Sequence, residues 1–206
     1  MLVNGSKTRL TGLALAVFAL TACGKKDNEA ADTTGAASST AAGDTSAMGG
    51  ASSTNANGNW SDANIVALLD EANMADSANG SIAATKGTSS AVRDFGKTMM
   101  RDHHTLRAQG AALAKKLNIT PQAPSDDPLA GDAQKETDNL NSTAKGKDFD
   151  KAYIDAEVDM HKKVLDVATK AGNQTQNTEL KNLIQKAAPN IQGHLTRAES
   201  IQKNLK

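Results

Sequence analysis

Leu180, Ile184, Ala187, Ile191, Leu195, Ala198, Ile201 and Leu205 recur every three or four positions along the last stretch of the chain. An α-helix turns 100° per residue, so this spacing gathers them on one face. A strand, with its period of two, would divide them between both faces. Three earlier segments repeat the pattern. The first carries Ile65, Leu68, Leu69, Ala72, Ala75, Ile82 and Ala83; the second Val92, Phe95, Met99, Leu106, Leu113 and Leu117. The third carries Phe149, Ala152, Tyr153, Ala156, Met160, Val164, Val167 and Ala168. Alternating runs and Asn-Gly hairpin signals are nearly absent. The periodicity predicts an all-α fold.

The punctuation between stripes sets the connections. Ser61 is a suitable N-cap for a first helix reaching about Lys86. "GTSS", residues 87–90, supplies a stop glycine and a new N-cap, and the second helix runs to about Asn118. Such a short turn makes the two antiparallel neighbours. "ITPQAPSDDPLAG" then holds three of the four prolines, and a modest helical stretch follows from about Leu129 to Thr143. The third main helix opens with Asp148 as N-cap, and the fourth runs from Thr178 to the C-terminus. Pro189 removes a backbone donor and presses on the carbonyl of Gln185, so a kink or break is expected there. The link between the second and third main helices, roughly 30 residues, can run the length of a bundle. It permits one-crossover connectivity as well as simple up-down-up-down. Gly96 and Gly110 fall on the apolar face of the second helix. Each costs about 1 kcal/mol against alanine, which close helix approach would offset.

Each stripe contains an ionisable residue. His103 shares its row with Met99 and Leu106, whereas its neighbour His104 points about 100° away, toward solvent. Asp102 sits at the edge of the apolar arc. Glu157 lies between Tyr153, Met160 and Val164, and His161 follows one turn later. His194 stands in the row of Ile191, Ala198 and Ile201, and Asp76 between Leu69, Ala72 and Ala83. With a crossover that returns the chain to the first turn of the bundle, Asp76, His103, His161 and His194 all lie roughly 18–22 Å from that end. They would meet at mid-bundle, where helical bundles build metal sites. A buried charge there needs a partner, because isolation costs several kcal/mol.

The N-terminal part has a different character. Lys7 and Arg9 precede "LTGLALAVFAL", an apolar run too short to remain as a membrane span. "LTAC", ending at Cys23, resembles the lipobox of bacterial lipoproteins, and Cys23 is the single cysteine of the chain. This resemblance implies cleavage before Cys23, acylation of its thiol and firm membrane attachment by two or three acyl chains. The competing reading is a secreted soluble protein in which Cys23 is incidental. Gly24 is not the Asp associated with inner-membrane retention in enteric bacteria, which favours the outer membrane facing the periplasm. Residues 24–59, almost all Ala, Gly, Ser, Thr, Asn and charged side chains, cannot bury enough to offset their ordering entropy. As a flexible tether they would span roughly 30–36 Å. The expected organisation is a signal peptide over 1–22, lipidated Cys23 with its tether over 23–59, and a helical bundle over 60–206.

Composition narrows the functions. Basic and acidic residues balance at 23 each and aromatic residues make up 2%, so there is no basic stripe and no base-stacking platform. Nucleic acid is excluded as a partner on those grounds. No phosphate loop, dinucleotide fingerprint, nucleophile elbow or H-E-x-x-H is present.

"FGKTMMRDHHT", "FDKAYIDAEVDMH" and "APNIQGHL" resemble, in order, the M-x-x-D-H, F-D-x-x-Y-x-x-x-x-x-x-x-H and P-x-x-x-x-H-L patterns of the bacterial domain-of-unknown-function family 4142. The resemblance implies a ferritin-like four-helix bundle with a long connection between helices 2 and 3, in an envelope protein. It implies no activity. Where the family often has Glu in the first helix, this chain has Asp76.

The di-iron pattern of ferritin-like enzymes, Glu-x-x-His on two helices, is not met: Met100 stands three before His103, and Ile191 three before His194. A single ion is chemically reasonable. Neutral imidazoles of His103, His161 and His194, with Asp76 or Glu157 as oxygen ligand, suit zinc, copper, iron or nickel. Three functions remain open: a binding module for a metal ion or small ligand, a structural or interaction lipoprotein with a metal-free polar network, and a metal-dependent enzyme.

The anchoring expectation has a direct test. Cys23→Ser should move the protein from the membrane to the soluble fraction and abolish radiolabelled-palmitate incorporation. Unchanged fractionation and labelling would show that Cys23 is incidental.

Overall fold

The computed structural model describes residues 59–205. The expected signal peptide, Cys23 and nearly all of the tether lie outside the described residues. Five helices follow in order: α1 Asp62–Lys86, α2 Ser90–Lys116, α3 Asp132–Ser142, α4 Lys147–Gln174 and α5 Thr178–Asn204. Among the described residues there is no β-strand. α1, α2, α4 and α5 form an all-α bundle, and the short α3 lies within the long connection between α2 and α4.

Local chemistry starts α1 where the sequence indicates. Ser61 caps it in a reciprocal pair: the Asn64 amide donates to Ser61 Oγ at 3.2 Å, and the Ser61 amide donates to Asn64 Oδ1 at 2.8 Å. Asn64 is fully buried, and its Nδ2 donates to the Gln122 carbonyl at 2.8 Å, tying the connection to the start of α1.

α5 also starts at Thr178 as expected, whereas the starts of α2 and α4 are capped differently from expectation. Ser89 holds the N-cap position of α2 without a side-chain bond. Buried Asp150, from the first turn of α4, does the capping instead. It accepts from the Thr88 and Ser89 amides at 2.8 and 2.7 Å and from the Thr88 hydroxyl at 2.5 Å. α4 begins two residues earlier than Asp148 predicts, with Gly146 at the N-cap. Asp148 lies in the first turn, where its charge favours the helix dipole.

These contacts fix the direction of every helix. Asp150 holds the start of α4 beside the start of α2, so those two run parallel. At the opposite end the Trp60 amide donates to Gln174 Oε1 at 2.9 Å, and the Thr175 hydroxyl to Asp62 Oδ1 at 2.6 Å. The end of α4 therefore meets the start of α1. The order is up, down, down, up, with the connection crossing the bundle lengthwise, as one of the two expected topologies requires.

Gly80 and Gly96 bring α1 and α2 into backbone contact. A Cβ on Gly80 would lie 2.7 Å from the Gly96 carbonyl oxygen, and one on Gly96 would lie 2.6 Å from that of Gly80. Gly96 therefore does what its position suggests. Gly110 does not: a Cβ there would meet nothing within 4 Å. Near it Leu106, Leu113 and Leu117 are half-buried rather than core, so α2 packs less closely toward its C-terminal end. α5 runs through Pro189 as one helix, so of the expected kink or break the break does not occur. Pro189 and Gln185 are both exposed, so water can take the carbonyl that the proline leaves free.

The apolar core falls into two clusters. One, near the start of α1, includes Trp60, Ile65, Leu68, Val164 and Leu180. The other, near the start of α2, includes Phe95, Met99, Phe149, Tyr153 and Ala198. The ionisable residues of the stripes lie at the level between them.

The glycines give contrasting expectations. Gly80→Ala and Gly96→Ala should each destabilise by about 1–3 kcal/mol through overpacking against backbone. Gly110→Ala should instead stabilise by up to about 1 kcal/mol through helix propensity alone. Urea midpoints of the three variants check this.

Candidate metal centre

His103 on α2, His161 on α4 and His194 on α5 face one another in the bundle interior, 1%, 0% and 7% exposed. His104 is exposed, as its helical phase requires. The ring centroids of the three inward histidines form a near-equilateral triangle with edges of 5.5, 5.2 and 5.6 Å. One ring nitrogen from each lies within 4.8 Å of those of the other two. Asp76 and Glu157 are also buried, and with His161 they form a second trio whose ligand atoms meet the same limit. The two trios share His161, so all five residues named from the sequence converge.

Each imidazole has one nitrogen engaged away from the triangle. His103 Nδ1 lies 2.9 Å from Asn73 Oδ1, His161 Nδ1 2.9 Å from the carbonyl oxygen of Glu157, and His194 Nε2 3.1 Å from Asp102 Oδ2. All three partners are oxygens. Asn73 Oδ1 is fixed as the acceptor because the same amide's Nδ2 donates to the Leu69 carbonyl at 2.6 Å. The engaged nitrogens therefore carry the protons, and the remaining ones keep their lone pairs. Those remaining nitrogens, His103 Nε2, His161 Nε2 and His194 Nδ1, are buried and have no hydrogen-bond partner. An imidazole held through one N–H by an oxygen, with its other nitrogen free, is the arrangement of a metal-ligating histidine.

The carboxylates are equally underused. Asp76 Oδ2 and both Glu157 oxygens are buried without a hydrogen-bond partner. Asp76 Oδ2 stands 3.4 Å from His103 Nδ1, and Glu157 Oε2 3.4 Å from His161 Nδ1, too long to satisfy either acid. Burial raises Glu157 well above the usual carboxylate range, the charges of Asp76 and Glu136 add to this, and the Tyr153 hydroxyl opposes it weakly. Glu136 is raised to about 7 by burial and then by Asp76. Burial lowers His103, and it lowers His194 to about 4, against the pull of nearby Asp76 and Asp102 respectively. Asp102 is held below its ordinary value: burial would raise it, but hydrogen bonds from Arg101 and His194 outweigh that. Burial thus favours the neutral forms of His103, His194 and Glu157. A divalent ion would supply the charge that lets Glu157 ionise.

Sequence reasoning overlooked four members of the layer. Asn73 lies three residues before Asp76 on the same face of α1, a spacing that marks it as a neighbour. Asp102 reads as an arc-edge residue, and only the position of α5 turns it into the support of His194. Tyr153 lies four residues before Glu157 and passes for an apolar residue. Glu136 comes from α3, whose orientation no periodicity reveals.

A family model described as a domain of unknown function, DUF4142, matches residues 46–201. No curated protein and no solved structure matches the chain.

Truncation separates the adjacent histidines. His103→Ala should strand Asn73 and Asp76 and cost about 1–3 kcal/mol. His104→Ala should stay within about ±0.5 kcal/mol. Equal shifts of the denaturant midpoint would contradict this placement of α2.

Proposed function

The chain belongs to the DUF4142 family, and on that premise we propose that its helical domain is a transition-metal-binding module of the bacterial cell envelope. The ion is held by His103, His161 and His194, with Asp76 or Glu157 as an oxygen ligand. The observation that carries this reading is the set of three buried imidazole nitrogens without partners, each on a ring anchored at its other nitrogen. A metal-free polar network would satisfy its members with one another. This layer leaves those nitrogens and three carboxylate oxygens unused, at about 1–3 kcal/mol for each buried unpaired group. Three imidazoles with one carboxylate suit zinc, copper, iron or nickel, and a coordination position left open would admit a further ligand.

The rest of the reading concerns location. The one-crossover bundle agrees with a ferritin-like ancestry. Among the described residues no helix is long and apolar enough to cross a membrane, which is compatible with attachment through lipidated Cys23. The domain then works on the tether of residues 24–59, close to the outer membrane and facing the periplasm.

Elemental analysis of protein purified without a His-tag tests the metal. The wild type should carry a stoichiometric transition metal or take one up after chelator treatment. His103→Ala, His161→Ala and His194→Ala should each lower metal content at least tenfold. His104→Ala should leave it unchanged. If the inward variants lose stability while the wild type holds no metal after incubation with zinc, copper, iron and nickel, the structural network replaces this proposal.

A further inference from the structure

A cavity of about 280 Å³, lined by α1, α2, α4 and α5, lies in the half of the bundle nearer the start of α1. Its walls are almost entirely aliphatic, with Leu106, Ala111, Leu183 and Ile184 among them. His103 also lines it, so the cavity lies against the metal centre. Its remaining polar groups are already committed. Asn73 is bonded to His103 and to the Leu69 carbonyl. Arg107 is paired with Asp70 through two contacts, at 2.7 and 3.3 Å.

Gly110 is the second observation. It lines the cavity in the interior of α2, where glycine is a poor helix former. Unlike Gly80 and Gly96, no neighbouring atom requires its small size. What a side chain at this position would occupy is the cavity itself.

We infer that this cavity is a binding site for a small, uncharged, apolar organic molecule, seated with one end against His103. Size sets the class: an apolar cavity of about 150 Å³ admits benzene, so this one has room for a bicyclic aromatic or a short aliphatic chain. The lining sets the charge. The Arg107 guanidinium is spent on Asp70, so an ionised carboxylate would lose its hydration for little return. The inference builds on the proposed metal centre only in what the molecule meets at its inner end, since the apolar walls exist independently of any ion.

The test uses the full chain, chelator-treated, with naphthalene as the probe and 2-naphthoate as its charged counterpart. Naphthalene should produce saturable NMR shifts at the methyl groups of Leu106, Ala111, Leu183 and Ile184 and at the His103 ring. 2-Naphthoate should bind at least tenfold more weakly. Gly110→Leu should weaken naphthalene at least tenfold while leaving the melting temperature no lower than wild type, which separates a filled cavity from a damaged fold. Shifts that fail to saturate, shifts away from these residues, equal binding of the charged probe, or unchanged binding by Gly110→Leu would each overturn the inference. Because the protein is metal-free in this experiment, its outcome is independent of the elemental analysis. Naphthalene binding without metal uptake would leave the cavity and remove the ion; metal uptake without naphthalene binding would do the reverse.

Discussion

Three hydrogen bonds that point away from the centre of the bundle organise its interior. Asn73, the Glu157 carbonyl and Asp102 each take the N–H of one imidazole and so fix the tautomer and orientation of His103, His161 and His194. The opposite nitrogens are then left as buried lone pairs with no donor to meet. A core does not retain such groups for their own stability. Each unpaired buried acceptor costs about 1–3 kcal/mol, and apolar side chains of similar size would remove the cost. The apolar clusters on either side, built from residues such as Leu68 and Val164 at one end and Phe95 and Phe149 at the other, offset that burden. The arrangement is one that could hold a cation.

Bringing four helices to one level requires control of both direction and height. Asp150 supplies one end of that control by capping α2 from α4. Trp60, Asp62, Gln174 and Thr175 supply the other. Their bonds enforce the up-down-down-up order, so residues at similar distances from the α2 start come to the same layer. The Gly80–Gly96 contact sets the separation of α1 and α2, and with it the reach of Asp76 and Asn73 toward His103.

The same helices are not packed evenly. Around the polar layer the fit is close, whereas the C-terminal part of α2 leaves half-buried leucines and an open space beside Gly110. A protein that needed only a stable bundle would gain from alanine or a larger residue there. An apolar space that touches a candidate metal ligand joins two features that bundles otherwise use separately: a polar site held by helices and a pocket shaped by their divergence. The carboxylates and the cavity beside His103 give the candidate metal centre two chemically different sides.

Much of this was legible before any coordinates. Periodicity alone assigns the main helices, turns His103 inward and His104 outward, and places Asp76, Glu157, His161 and His194 on core faces. These are consequences of 100° and 1.5 Å per residue, which act within a single helix and need no knowledge of its neighbours. The tertiary structure decided what each inward residue meets. Asp102 supports His194 only because α5 lies beside α2, and Glu136 reaches the acids only because α3 folds back within the connection. Gly80 and Gly110 look alike in sequence, yet one holds two backbones together and the other opens a cavity. The choice between two bundle topologies rested on Asp150, an unremarked acid in a helix first turn. All of these depend on contacts between residues 16 to 114 positions apart, where the path of the chain and not the repeat of the helix determines the partner.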